Sequence, residues 1–121
     1  MSNEVLFLEY PKCSTCKKAK KWLDEHGVSY TTRHIVEDNP SADELRAWHE
    51  RSGLPLKRFF NTSGMLYREM ELSKKLPDMD EAAQYALLAS DGMLVKRPLL
   101  VTDATAIPGF KEEAWMRVLG L

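Results

Sequence analysis

The chain has few cysteines, no long apolar run and almost no net charge, and each shortage excludes a class of protein. Its 121 residues contain two cysteines, too few for the disulfide framework of a small secreted domain. No segment approaches the roughly 18 consecutive apolar residues of a membrane-spanning helix. The formal net charge of −1 gives no basic surface for nucleic acid. We therefore expect one soluble domain, residues 1–121, with no membrane and no direct nucleic-acid partner.

The N-terminal residues 1–4 have no basic stretch that leads into a long apolar segment, so no secretory signal peptide is predicted. A cytoplasmic location is the expectation that follows from this absence. In that reducing compartment, a closely spaced pair of cysteines is more often catalytic or redox-sensing than structural.

The two cysteines form a Cys-x-x-Cys motif, Cys13 and Cys16, between a short apolar run and a helix-like stretch. A helix N-terminus offers unpaired backbone N–H groups and a partial positive charge, both of which favour a thiolate over a thiol. Two cysteines about one helical turn apart can also close a disulfide with little backbone movement. The motif therefore predicts redox chemistry.

Two other roles for the cysteine pair compete with redox chemistry. A structural zinc site needs four ligands, and only His26, His34 and His49 are left to complete one. No two of these histidines have zinc-motif spacing, so no metal site is predicted. The open alternative is that both cysteines pack as small apolar residues, since free cysteine is often buried. Their position after a first strand argues against this, because that loop is normally exposed.

The order of predicted elements indicates an α/β fold with a thioredoxin-like core. An apolar run at 5–8, a helix from residue 15 ended by Gly27, and a β-branched stretch at 28–35 predict a β-α-β unit with parallel strands. A Cys-x-x-Cys motif beside such a unit favours the thioredoxin-like arrangement. The chain closes with a predicted β-β-α unit, made of strands at 99–101 and 106–107 and a helix at 111–119.

An all-helical insertion, about residues 41–91, is predicted between the two halves of this core. Ser41 and Glu44 have the spacing of a capping box, which indicates a helix that begins there, and Gly53 is expected to end it. The predicted helical segments are 41–51, 54–60, 67–75 and 80–89.

Five lysines crowd the start of the first helix, an end at which cations oppose the helix dipole. One interpretation is a positive field that lowers the pKa of Cys13 and attracts an anion, and the other is a solvated basic face. Ser14 and Thr15 add hydroxyl groups and backbone donors at the same helix start, which suits an anion. The lysines are Lys12, Lys17, Lys18, Lys20 and Lys21.

Five segments carry a resemblance to a known family. They are residues 10–16 (YPKCSTC), 56–64 (LKRFFNTSG), 67–69 (YRE), 96–101 (KRPLLV) and 109–113 (GFKEE). In this order and spacing they resemble the ArsC/Spx family of thioredoxin-fold proteins, and the resemblance covers nearly the whole chain. It is closer to the branch that carries a Cys-x-x-Cys pair than to true arsenate reductases.

The resemblance implies roles for several of these residues. Cys13 matches the family's nucleophilic cysteine, and Cys16 supplies a resolving thiol that closes an internal disulfide. Arg97 matches the oxyanion-binding arginine, because a guanidinium offers planar paired donors to an oxyanion. Pro98 matches the cis-proline that faces the thiols, and the expected substrate-binding set is Lys12, Ser14, Thr15, Arg97 and Pro98.

Two departures from the family pattern concern its arginines. Arsenate reductases of this fold carry arginines at the positions of Asn61 and of Phe110, which here precedes Lys111. The loss of two of three oxyanion-binding arginines argues against efficient arsenate reduction. Those enzymes also often take their second thiol from glutathione, whereas this chain has its own in Cys16.

The resemblance thus implies a cytoplasmic thiol–disulfide oxidoreductase, regenerated by thioredoxin or a low-molecular-weight thiol. No metal or organic cofactor is implied. The alternative is a redox-switched transcriptional regulator of the Spx type, which binds the C-terminal domain of the RNA polymerase α subunit through a surface that includes a glycine, matched here by Gly53. A third interpretation is the same fold with an idle dithiol.

Overall fold

The protein, seen in a computed structural model that describes residues 4–121, is a four-stranded sheet with helices on both faces. The chain order is β-α-β, a helical insertion, then β-β-α, as the sequence predicts. The elements are β1 (Leu6–Glu9), α1 (Ser14–Glu25), β2 (Thr31–His34), α2 (Ala42–Ser52), α3 (Met65–Glu69), α4 (Leu72–Lys75), α5 (Glu81–Ser90), β3 (Leu99–Val101), β4 (Ala106–Pro108) and α6 (Glu112–Leu119), with 3₁₀ turns at Leu56–Phe59, Leu76–Asp78 and Gly92–Leu94.

The sheet has the strand order β2-β1-β3-β4. β1 and β2 are parallel, as a right-handed β-α-β crossover requires, and β3 is antiparallel to both β1 and β4. β3 is therefore an interior strand, and its three residues are all buried. This arrangement brings the segment that precedes β3 to the same edge of the sheet as the segment that follows β1.

Successive residues of β1 point to opposite faces of the sheet, so each face has its own core. Phe7 packs with Trp22 of α1 and Trp115 of α6 on one face. Leu8 packs on the other face with the helical insertion, for example with Leu45 and Phe59. The insertion therefore covers the face that α1 and α6 leave open.

The insertion differs in detail from the sequence prediction. Ser41 and Glu44 form the predicted capping box, and Gly53 ends α2 in the left-handed conformation at φ 67°. The segment 67–75, predicted as one helix, is instead α3 and α4, because Glu71 adopts φ 53° between them. The segment 54–60 contains only the 3₁₀ turn, which Pro55 precedes. Short amphipathic pieces packed on one core need no continuous helix.

The ends of the insertion meet at the base of β2. An added Cβ at Gly92 would collide with the backbone carbonyl of Ile35, the residue that directly follows β2. Phe60 and Val95 also form an isolated antiparallel bridge. These contacts fix the path of the chain back to β3.

The predicted domain boundary and the predicted lack of a signal peptide both include residues 1–3, which lie outside the described residues. Across residues 4–121, every helix falls short of the length and apolar character that a bilayer crossing requires.

Candidate active site

The thiol pair lies where the chain leaves β1 and enters α1. Cys13 is the N-cap residue of α1, in an extended conformation, and its Sγ accepts the backbone N–H of Cys16 at 3.4 Å. Its own N–H donates to the carbonyl of Tyr10 at 2.9 Å, which closes the turn. Cys13 is half-buried, whereas Cys16 is fully buried inside the first helical turn, and both are free thiols.

Cys13 is the more acidic of the two thiols. Partial burial opposes its ionisation, yet its pKa lies below the ordinary value because hydrogen bonds and charge outweigh that burial. The backbone N–H and the thiol of Cys16 both donate to its sulfur, the guanidinium of Arg97 supplies positive charge, and the backbone of Thr15 adds a further donor. The helix N-terminus and Arg97 therefore make Cys13 easier to ionise than an ordinary cysteine.

Cys16 is shifted in the opposite direction. Burial is the main cause that raises the pKa of Cys16 to about 12, and its hydrogen bond to Cys13 and the charge of that neighbour act in the same direction. A backbone hydrogen bond from Tyr10 and the charge of Arg97 act the other way without reversing the effect. The two thiols therefore differ in acidity, because Cys13 is the easier of the two to ionise and Cys16 is kept protonated. The alternative of two inert buried cysteines fits Cys16 but not Cys13.

Arg97 reaches the thiols from the segment that precedes β3, and the Arg97–Pro98 peptide bond is cis. Its guanidinium lies over the ring of Tyr10, with Cζ 5.2 Å from the ring centroid, a cation–π contact. Its Nη1 is buried and finds no hydrogen-bond partner among the described residues. A buried, unpaired donor on a cation is costly, so Arg97 Nη1 lacks an acceptor that the fold itself does not supply.

A basic cleft of about 400 Å³ opens beside the thiols. Four of its eight lining residues are cationic, and among the described residues that line it none is acidic. The residues that define its character are Thr15, Arg58, Lys96, Arg97, Phe110 and Lys111. Thr15 and Arg97 line the cleft and also act on the Cys13 sulfur, so the cleft adjoins Cys13.

Three hydrogen bonds to backbone carbonyls join the separate segments that line the cleft. The N–H of Lys96 donates to the carbonyl of Phe59 at 2.8 Å, which sets the insertion against the segment before β3. The N–H of Gly109 donates to the carbonyl of Pro98 at 2.8 Å. The indole N–H of the buried Trp115 donates to the Gly109 carbonyl at 3.1 Å. The cleft is therefore built on the sheet edge rather than on a free loop.

The other substrate-binding residues predicted from the sequence are only partly brought to this cleft. Thr15 and Arg97 line it, whereas Lys12 and Ser14 are exposed at the helix entry and are not among the lining residues. Pro98 is buried beside Arg97.

Three of the five lysines near the start of α1 lie beside acidic residues, which favours the second interpretation for them, a solvated basic face. Lys20 lies 3.5 Å from a carboxylate oxygen of Glu9. Lys17 and Lys21 share an exposed shallow surface with Asp24. Those three lysines therefore belong to a solvated face in which their charge is partly balanced.

The two positions that depart from the family's arginines differ in environment. Asn61 is buried, its Oδ1 accepts the Ser63 hydroxyl at 3.4 Å, and it is not among the residues that line the cleft. Phe110 lines the cleft and packs edge-on against Trp115, with ring centroids 4.8 Å apart. Only the change at Phe110 therefore alters the cleft wall directly.

The three histidines make local contacts away from the cleft. His26 stacks on Trp22, with ring centroids 4.1 Å apart, and the His34 ring accepts backbone N–H groups of the following turn. His49 and the Tyr85 hydroxyl are 2.6 Å apart and join α2 to α5. Across residues 4–121, no group of three or more His, Cys, Asp or Glu side chains is arranged to hold a metal ion.

Sequence reasoning gave no role to four residues that the structure places at the site. Tyr10 holds the Arg97 guanidinium, and Arg58, Lys96 and Lys111 supply cleft charge. Each lies inside a segment that carries the family resemblance, and that was the available signal. Their convergence on one cleft was not visible because the segments are far apart along the chain.

The strand order and the dithiol at the start of α1 define the class: a thioredoxin-fold protein with a Cys-x-x-Cys pair. The chain belongs to the ArsC family, whose family model matches residues 8–118. This confirms the family resemblance seen in the sequence.

Two named relatives match most of the chain. The chain is 58% identical over 109 residues to the uncharacterised protein YusI of Bacillus subtilis, covering 90% of this chain and 92% of that protein. It is 27% identical to the global transcriptional regulator Spx of Staphylococcus epidermidis, covering 95% of this chain and 86% of Spx.

Two solved structures are also similar to this chain. An ArsC family-related protein of Bacteroides fragilis is 59% identical with a TM-score of 0.92, covering 94% of this chain and 96% of that one. A possible arsenate reductase of Streptococcus mutans is 44% identical with a TM-score of 0.86, covering 94% of this chain and 98% of that one.

Proposed function

We propose that this protein is a thiol–disulfide oxidoreductase in which Cys13 is the nucleophile and Cys16 the resolving thiol. The observation that carries the proposal is the opposite displacement of the two thiol pKa values, lowered at Cys13 and raised to about 12 at Cys16. Membership of the ArsC family and similarity to a possible arsenate reductase support redox catalysis at a coarse level.

The first step is attack of the Cys13 thiolate on one sulfur of a substrate disulfide. A bond forms between Cys13 Sγ and that sulfur, the substrate S–S bond breaks, and the other half leaves as a thiolate that takes a proton from solvent. Attack removes the negative charge at Cys13. One cause of the high pKa of Cys16 therefore disappears when the mixed disulfide forms.

The second step is attack of Cys16 on the Cys13 sulfur. Cys16 loses its proton to solvent, the Cys13–Cys16 disulfide forms, and the remaining substrate half leaves as a thiol. The two protein thiols have then been oxidised by two electrons, and the substrate disulfide has been reduced by two. The thioredoxin dithiol, or two molecules of a low-molecular-weight thiol in a cytoplasmic setting, returns the protein to its reduced form by the same exchange and is itself oxidised to a disulfide.

Arg97 stabilises the thiolate state of Cys13 and binds an anionic group through its unpaired Nη1. Tyr10 is a positioning residue, because its ring contacts the guanidinium and its carbonyl accepts the Cys13 N–H. Thr15 adds a backbone donor to Cys13 at the edge of the cleft.

A second candidate function is a redox-switched transcriptional regulator that binds the RNA polymerase α subunit. The similarity to Spx favours it, as does the exposure of Gly53 at the end of α2, where a Cβ would meet nothing within 4 Å. In this case the Cys13–Cys16 disulfide would alter binding rather than complete a catalytic cycle.

One paired experiment separates the two functions. The purified protein is assayed for turnover of small disulfides and of arsenate with a thioredoxin system, and in parallel for capture of the polymerase α C-terminal domain in reduced and oxidised form. Turnover without capture supports the oxidoreductase. Redox-dependent capture without turnover supports the regulator. If the protein shows neither turnover nor capture, the dithiol is idle and both functions are contradicted.

A further inference from the structure

We propose that the basic cleft beside Cys13 binds the carboxylate-bearing organic half of a disulfide substrate, rather than a bare inorganic oxyanion. This inference rests on the proposed oxidoreductase function and names its substrate class. The half held in the cleft is the one that becomes joined to Cys13 in the mixed disulfide.

The charge of the cleft selects an anion. Arg58, Lys96, Arg97 and Lys111 converge on it from three separate segments, and no acidic residue is among its described lining. The lysines of α1 differ from these cations, because acidic residues lie beside them: Glu9 of β1, and Asp24 and Glu25 of α1. Uncompensated cations in a concave site concentrate anionic ligands and raise their association rate.

A buried donor gives this charge a definite direction. Nη1 of Arg97 is buried without a protein partner, and its guanidinium is held in place by the Tyr10 ring. A carboxylate oxygen would satisfy that donor, since guanidinium and carboxylate groups match in geometry. The other cations that line the cleft would contact a second anionic group or the rest of the ligand.

The size and the wall of the cleft select an organic ligand. A volume of about 400 Å³ falls in the range of small-molecule sites and corresponds to the liquid volume of about 13 water molecules, far more than a tetrahedral oxyanion fills. Phe110 stands where the family's arsenate reductases have an arginine, and it presents an aromatic surface to the cleft. An apolar wall beside four cations suits a carboxylate on a short hydrocarbon chain.

The cleft is placed so that this ligand can react. Thr15 and Arg97 line the cleft and also stabilise the Cys13 thiolate, so a disulfide whose carboxylate contacts Arg97 has a sulfur within reach of Cys13. The other half of the disulfide faces solvent and leaves first. Attack by Cys16 then releases the bound half as a thiol.

The test compares three disulfides of similar skeleton and different charge: 3,3′-dithiodipropionate with two carboxylates, bis(2-hydroxyethyl) disulfide with none, and cystamine with two ammonium groups. Cys16→Ser protein isolates the attack by Cys13, and the second-order rate of each adduct is followed by mass spectrometry. Each rate is divided by that of 2-mercaptoethanol with the same disulfide. We expect a preference of about tenfold or more for the dicarboxylate over the neutral compound at low ionic strength.

Variants locate the preference in the cleft. Arg58→Gln and Lys111→Gln, both of exposed residues, should each reduce the preference about threefold, while the exposed Lys75→Gln of α4 should leave it unchanged. Salt at 1 M, where the screening length is about 3 Å, should remove most of it. Inorganic phosphate should slow the reaction of Cys13 with the dicarboxylate disulfide only at concentrations well above that of the disulfide.

Three outcomes would overturn the inference. One is equal normalised rates for all three disulfides, and another is equal loss in the Lys75→Gln control. The third is inhibition of that reaction by phosphate at or below the concentration of the dicarboxylate disulfide, which would assign the cleft to an inorganic anion. If Cys13 attacks none of the disulfides faster than the reference thiol, the oxidoreductase proposal itself fails, which is a different result from charge-independent attack.

Discussion

Both ends of the sheet form concave surfaces, but the residues that line them differ in charge. At the end where β1 begins lie the two larger cavities, of about 600 and 510 Å³, which share Glu4, Ser29 and Asp103 in their walls. At the end where β1 leads into α1 lies the smaller cleft of about 400 Å³. Only this smaller cleft adjoins a thiol of lowered pKa and a buried unpaired guanidinium nitrogen.

The difference teaches that reactivity follows the chemistry that converges on a site rather than its volume. The larger cavities are lined by residues of both charges, such as Arg51 and Asp103, whose fields oppose one another. The smaller cleft joins cations to a helix N-terminus, so its charges add in one direction. The predictions below compare matched changes at the two ends, beginning with the largest effect.

Removal of the nucleophile should separate the two ends most strongly. Cys13→Ser should reduce disulfide turnover about 10³-fold or more, as the loss of a covalent nucleophile does in other enzymes. Asp103→Asn, at the opposite end, should leave turnover unchanged. The measurement is kcat/KM with a thioredoxin system, and a comparable loss in the Asp103 variant would contradict the assignment of the site.

Removal of the resolving thiol should block the cycle after its first step. Cys16→Ser should retain the reaction of Cys13 but reduce multiple turnover about 10²-fold or more, because an intramolecular thiol attacks at a high effective concentration. Intact-mass analysis should find one substrate half bound per protein. Accumulation of the adduct on residue 16 in a Cys13→Ser protein instead would reverse the roles of the two cysteines.

The charge of Arg97 should tune Cys13 without abolishing the site. Arg97→Ala should raise the pKa of Cys13, so that alkylation of this thiol at about pH 6 slows by about tenfold for each pKa unit gained. Arg97→Lys should restore only part of the rate, since an ammonium lacks the planar fork. Arg51→Ala, which removes a guanidinium at the other end, is the control. An unchanged pH profile in Arg97→Ala would show that Arg97 does not act on the thiol.

Charge outside both ends should affect stability alone and by the smallest amount. Hydrogen bonds from Arg33 hold the pKa of Glu44 down to about 2, against partial burial that acts to raise it. A lowered carboxyl pKa adds stability above the unfolded value near 4.5, and that stability is lost as the pH falls towards 2. Because the Glu44 side chain is 38% exposed, solvent screens the pair, and Glu44→Gln should cost about 1 kcal/mol or less at pH 7.

Denaturant unfolding of the Glu44→Gln protein at pH 7 and near pH 2 provides the measurement. The difference from the unaltered protein should shrink at the lower pH, and the reactivity of Cys13 should be unchanged at neutral pH. A change in thiol reactivity would show that the insertion and the thiol end are coupled.

The sequence predicted those features that local patterns encode. The β-α-β unit, the capping box of Ser41 and Glu44, and the position of Cys13 at a helix entry all depend on residues within a few positions of each other. The break at Glu71 escaped prediction because the residue in the left-handed conformation is a glutamate, so no glycine or proline marks the end of the helix there.

The cleft could be predicted only in part, since its charge is assembled across the fold. Arg58 belongs to the insertion, Lys96 precedes β3 and Lys111 precedes α6, and no spacing along the chain relates them. For the same reason, Asn61 and Phe110 looked equivalent as departures from the family's arginines, although only Phe110 lines the cleft.

The close approach of Gly92 to the Ile35 carbonyl has a consequence for how this architecture can vary. The chain leaves the sheet after β2 and returns to the same point, so the helical insertion is a lobe that begins and ends at one place and packs its inner side on one face of the sheet. The entropy cost of closing such a lobe grows only slowly with its length. The parts of the lobe that do not pack on the sheet can therefore change in length in evolution and still return the chain in register to Arg97. Any larger residue at position 92 would push its Cβ against the Ile35 carbonyl and separate the two ends of the lobe. The start of β3 would then be displaced, and with it Arg97 beside the thiols.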